Sequence, residues 1–201
     1  MGAWRRAWRR FEPGSNGDDA IMRRAHFSLN HVGIYVIDID LMTDFYTSFF
    51  GFVVTDRRDD VNPIRFMTMT PTEHHQLLLA SGRAPGSTST VHQISFLLES
   101  FAELRHVHEE ANADPRVRKI WSLDHGNSWT VYFKDPEDNT IECYVHTPWH
   151  VSQPYGRPID FSLSDAEIFR KTEQEVLAIP SYVPAEVFRE RLARRLAGEG
   201  S

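Results

Sequence analysis

The chain has 201 residues, 41% of them hydrophobic, a formal net charge of −6 at pH 7 and a single cysteine, Cys143. That length suits one domain with tails and a core of ordinary size. The single cysteine excludes an intrachain disulfide and fits a reducing, cytoplasmic setting, the acidic balance argues against a nucleic-acid partner, and no apolar run approaches the length of a membrane span.

Residues 1–26 carry Arg5, Arg6, Arg9, Arg10, Arg23 and Arg24 among Gly and Asp, without an apolar signal segment, and are expected to be a poorly ordered tail. Phe27–Ile37 (FSLNHVGIYVI) reads as the first strand. A helix follows over residues 40–50, with Asp38 or Asp40 as its cap and Gly51 as its stop. Strands are expected over Phe52–Thr55, Ile64–Thr70 and His75–Leu79, and then a Gly/Pro/Ser/Thr linker from Ser81 to Thr90.

The order then starts again. Val91–Leu98 (VHQISFLL) is a strand, and Ser100 with Glu103 forms a capping-box pattern that opens a helix to about Asn112. Lys119–Leu123, Trp129–Lys134 and Thr140–His146 are strands, the last two joined by Asp135–Asn139, whose composition is that of a turn. Both halves therefore read strand, helix, three strands, an internal repeat. His31 and His92 open the two halves; His75 and Glu142 fall on their last strands. Alternation sets Glu142 on the opposite face from Ile141, Cys143 and Val145, where a carboxylate needs a partner, and a metal ion is the partner expected. Ten histidines supply the matching ligand type. The segment from residue 147 to 201 is a Pro-punctuated stretch followed by two helices, the first opened by Ser164 and Glu167.

The region 27–146 resembles the vicinal oxygen chelate superfamily, and within it the type I extradiol ring-cleaving dioxygenases. The resemblance rests on NHVGIYV around His31, VHQISF around His92, NTIECY around Glu142, the His74-His75-Gln76-Leu77 stretch, and Asp124-His125-Gly126 followed by Tyr132-Phe133 and Asp135-Pro136. It implies an α+β fold in which two βαβββ modules, 27–80 and 91–146, pair into one curled sheet cupping a metal, with a C-terminal helical tail. His31, His92 and Glu142 would be the metal ligands, a facial triad that suits non-haem Fe(II), with Mn(II) held by the same set. His75 would be the acid–base residue, Tyr132 a hydrogen-bond donor to the bound diol, and His125 a positioning group. The partners implied are a small aromatic diol and dioxygen, within a homo-oligomer. One departure is Asp138, where the family usually has Gly; Asp tolerates the left-handed conformation at modest cost. The same fold also carries glyoxalase-type isomerases and thiol transferases that modify an epoxide antibiotic. An isomerase would use a fourth protein ligand on the last strand of the first half, where His75 was expected. An aromatic-ligand-binding protein without catalysis would need no triad.

Overall fold

Helix α1 (Ile39–Phe50) begins where the Asp38 carboxylate accepts the backbone N–H groups of Asp40 and Leu41, and it ends at Gly51, whose φ of 74° only glycine adopts without strain. Helix α2 (Phe101–Ala113) opens on a complete Ser100–Glu103 capping box, as its sequence predicts. The computed structural model that carries these elements describes residues 27–199, so the expectation for residues 1–26 lies outside the described residues.

Each half has the expected order. β1 (Val32–Val36), α1, β2 (Val53–Arg58), β3 (Ile64–Thr68) and β4 (Leu77–Ser81) make the first module. β5 (Ile94–Leu97), α2, β6 (Ile120–Asp124), β7 (Ser128–Lys134) and β8 (Thr140–His146) make the second. In each module the first strand pairs parallel to the last, Val32 opposite Leu77 and Ile94 opposite Ile141.

The α+β class and the repeated modules hold, but within one chain the strands do not join into a single curled sheet. They form a four-stranded sheet in the order β1-β4-β3-β2 and a five-stranded sheet in the order β10-β6-β7-β8-β5. The reason lies in α1. It rests on β3 and β4 of its own sheet and presents Phe49 and Phe50 to Phe133 and Phe96 of the other, with ring centroids 4.5 Å apart for Phe50 and Phe96. The modules thus bury aromatic area helix against sheet, and β1 and β5 are left as sheet edges.

The turn between β7 and β8 staples the modules. Asp135, fully buried, accepts the N–H groups of Glu137 and Asn139 on Oδ1, and on Oδ2 the Asn139 amide and the buried Tyr46 hydroxyl of α1. Burial raises the Asp135 carboxyl and raises the Tyr46 phenol well above its usual range. Glu137 accepts the N–H groups of Ile37 and Asp38, just before α1. Asp138 takes the left-handed position at φ 64°, as expected of the residue that replaces Gly.

Residues after His146 pack on the second module. β9 (Trp149–His150) pairs with β11 (Val183–Pro184), and β10 (Arg157–Pro158) adds to the edge of β6. Helix α3 (Asp165–Leu177), opened by the Ser164–Glu167 capping box, buries Ile168, Thr172 and Val176, and α4 (Ala185–Leu196) follows. Arg105 of α2 pins this segment, donating to Asp165 Oδ1 and to the carbonyls of Phe161 and Leu163. No helix among the described residues is long and apolar enough to cross a membrane.

Candidate functional site

The repeat fixes which positions correspond. The cap residues Asp38 and Ser100 lie 62 apart in sequence, and so do Val32 and Ile94, the first paired residues of β1 and β5. On that spacing the counterpart of His31 is Gln93, and the counterpart of Glu142 is Leu78, since Gly33 pairs with Leu78 as Ser95 pairs with Glu142.

In the second module the structure brings Gln93, rather than His92, against Glu142. Gln93 shares the Glu142 face and donates from Nε2 to Glu142 Oε2 at 2.5 Å. The Ser95 hydroxyl also donates to Oε2. His92 stands one residue out of phase, exposed, on the wall of a separate cavity with Arg118 and Lys134. Both residues precede β5, and His92 Nδ1 lies 3.0 Å from Gln93 Oε1, so the Gln93 amide links the His92 ring to Glu142.

Around Glu142 the expected groups do gather. The Tyr132 hydroxyl, opposite Glu142 in the β7–β8 register, donates to Oε1. Burial, then the Glu142 hydrogen bond and charge, push the Tyr132 phenol up, so it stays a donor. Its ring stacks on Trp121 at 5.1 Å with the planes 9° apart. His125 Nε2 lies 3.0 Å from the Tyr132 oxygen, and its Nδ1 lies 2.8 Å from the Tyr155 carbonyl. A carbonyl only accepts, so Nδ1 carries a proton. Gln153 Nε2 donates to the His125 carbonyl, so the segment after β9 holds this histidine from two sides. Gln93, Ser95 and Trp121 were not singled out from sequence. The helix-cap spacing points to Gln93 once Asp38, rather than Asp40, is the first cap.

The first module supplies a second group. The rings of His31 and His75 lie 4.3 Å apart. His75 precedes β4 rather than lying in it, so strand alternation does not separate it from His74. Their Nδ1 atoms are 3.0 Å apart, and His74 Nε2 lies 2.8 Å from Asp56 Oδ2. Burial, then the neighbouring His31 and His74, lower the His75 pKa, so this ring is readily neutral.

These two groups do not meet within one chain. Among the described residues no cluster of three or more His, Cys, Asp or Glu side chains is placed to hold a metal. The expected convergence of His31, His92 and Glu142 on one ion is not a property of the single chain: His31 precedes the edge strand of one sheet and Glu142 lies inside the other. The donor set among the described residues of one chain, taken alone, does not fit a metal.

A family model described as the Glyoxalase/Bleomycin resistance protein/Dioxygenase superfamily matches residues 28–143. The chain belongs to that superfamily. Members of this superfamily are usually metalloenzymes. The fosfomycin resistance protein FosX from Listeria monocytogenes, in its monoclinic form, is 17% identical with a TM-score of 0.50, over 61% of this chain and 96% of its own. The same protein with Mn(II) and sulfate gives 18% and 0.48, over 61% and 95%. A glyoxylase/bleomycin resistance protein/dioxygenase domain from Frankia sp. EAN1pec gives 22% and 0.49, over 61% and 100%. At these identities the likeness is one of fold. No curated protein matches the chain.

Proposed function

We propose that this superfamily member is an extradiol dioxygenase, opening the ring of a small aromatic diol next to its hydroxyls with non-haem Fe(II) and dioxygen; Mn(II) suits the same donors. The observation that carries the reading is the run His125–Tyr132–Glu142 beside the Trp121 ring. It offers a flat aromatic platform, a phenol donor and an imidazole beside the carboxylate, which is what positioning a catechol requires. A glyoxalase-type isomerase is disfavoured, because Leu78 stands at the repeat position where a fourth ligand would sit.

Two copies of the chain would complete the site in a homo-oligomer. His31 and His75 of one copy would face Gln93 and Glu142 of the other. His31, Gln93 and Glu142 would then be the ligands, with one amide oxygen where a second imidazole was expected. The metal, when bound, would hold diol and dioxygen side by side. His75, readily neutral, would accept the diol proton, and Tyr132 would hydrogen-bond the diol oxygen. Such an enzyme would work in the cytoplasm.

The test is anaerobic Fe(II) reconstitution followed by a panel of catechols in air. A ring-opened yellow product supports the reading; iron uptake without turnover of any catechol refutes it. Co-expressed His31→Ala and Glu142→Gln chains should regain about a quarter of the wild-type metal, since half of randomly mixed dimers carry one intact site of two. No regain would show that the site does not span two copies.

A further inference from the structure

A cavity of about 730 Å³ opens between the start of α1, the linker from Arg83 to His92 and the β7–β8 turn. Its walls hold Arg83, Arg118, Lys134 and His92, and none of His31, Gln93, Tyr132 or Glu142. Thr140 on its wall precedes Glu142 by two residues on β8, so the cavity adjoins the carboxylate group without including it.

The three carboxylates on the walls are already engaged. Asp38 caps α1, Glu137 takes the N–H groups of Ile37 and Asp38, and Asp138 lies 3.8 Å from Arg118. Among the described residues Lys134 is left without an ion pair, and Arg83 with an unmet donor. Lys134 donates to the Thr140 hydroxyl at 2.6 Å and makes no ion pair among the described residues. The Arg83 side chain is 8% exposed; it donates to the Glu137 and Ser87 carbonyls and the Asn139 amide oxygen, with Glu137 Oε2 3.9 Å away. Its Nε is buried with no hydrogen-bond partner. A buried guanidinium with an unmet donor is costly, and an anion within reach relieves that cost. Ile37, Leu41, Val91 and Pro136 line the remaining space, which exceeds what one oxyanion fills.

We propose that this cavity is a second ligand site, taking a small organic phosphate whose oxyanion meets Lys134 and Arg83 and whose apolar part lies on Ile37 and Leu41. Since its walls come from both modules, the occupant ties the modules together. The proposal does not depend on the dioxygenase reading, because no proposed metal ligand lines the cavity.

Calorimetric titration of the full chain with phenyl phosphate and with inorganic phosphate tests it. Phenyl phosphate should bind saturably, more tightly than inorganic phosphate, and raise the melting temperature. Lys134→Met should weaken binding about tenfold or more, as loss of a charge-assisted hydrogen bond does. Arg83→Gln should weaken it further, but that variant also loses structural hydrogen bonds, so Lys134→Met is the deciding one. Glu142→Gln should leave binding unchanged. Absence of saturable binding at millimolar phenyl phosphate, or binding that Lys134→Met leaves intact, overturns the proposal. Loss of binding in Glu142→Gln would assign the anion to the Glu142 group instead and also overturns it. Binding of inorganic phosphate as tight as that of phenyl phosphate would mark an adventitious ion only.

Discussion

Gln93 and Glu142, 49 residues apart in sequence, are joined by a 2.5 Å hydrogen bond from the Gln93 amide to Oε2. The other end of the same amide meets His92, whose Nδ1 lies 3.0 Å from Gln93 Oε1. If Gln93 is a metal donor, Gln93→Ala should lower iron affinity, and Gln93→His should keep or raise it, since imidazole is the better ligand for Fe(II). His92→Ala should leave it near wild type. Metal titration by absorbance or calorimetry decides; loss of metal in His92→Ala would return the role to His92.

Tyr132→Phe removes the hydroxyl between His125 and Glu142 while keeping the ring on Trp121. Turnover of a catechol should fall about 10²–10⁴-fold with metal content unchanged. His75→Gln should show the same separation and a changed pH profile. Metal loss in His75→Gln would make His75 a ligand instead.

Most of the fold was legible in the sequence because its signals are local. Asp38, Gly51, Ser100, Glu103, Ser164 and Glu167 mark helix ends by groups that satisfy nearby backbone atoms; five sit where the sequence placed them, and Asp38 is one of the two caps it offered. The β7–β8 turn was legible for the same reason. The phase of β5 was not, because VHQISFLL carries apolar residues on both faces and its histidine drew the assignment. The separation of the two sheets was not legible either. It depends on where Phe49 and Phe50 of α1 find aromatic partners, Phe96 and Phe133, which are remote in sequence.

Asp124 gives a pH signature. It is fully buried, Oδ1 accepts the Gly126 N–H, and Oδ2 has no partner. Burial pushes its carboxyl up to about 6, from about 3.9 in an unfolded chain. The folded state thus favours the protonated form. The stability this adds is fully present below about pH 4, falls as pH rises and is gone above about pH 6, amounting to ~2–3 kcal/mol. Urea unfolding across this range should show that fall in the wild type relative to Asp124→Asn, which lacks the titration. Parallel curves for the two proteins would refute the assignment.

Gly126 sits at φ +67°, and a Cβ there would lie 2.3 Å from Val151 Cγ2 and 3.1 Å from the Tyr155 ring. Gly126→Ala should push away the segment that holds His125, costing about 1–3 kcal/mol. Thermal unfolding measures the cost. A wild-type melting temperature would show that the segment yields freely.

The edges of the two sheets differ in what they admit. β1 and β5 end their sheets with Tyr35 and Leu97 exposed, 69% and 56%. The opposite ends are closed to further strands. β2 breaks register between Val54 and Asp56 and turns Arg57 and Arg58 to solvent, while β10 is two residues long and contains Pro158, which has no N–H to give. A chain built this way can accept a neighbour on one flank of each sheet and refuses it on the other. A twofold pair in which β1 of each copy meets β5 of the other would use both open edges at once and leave none from which a fibre could grow.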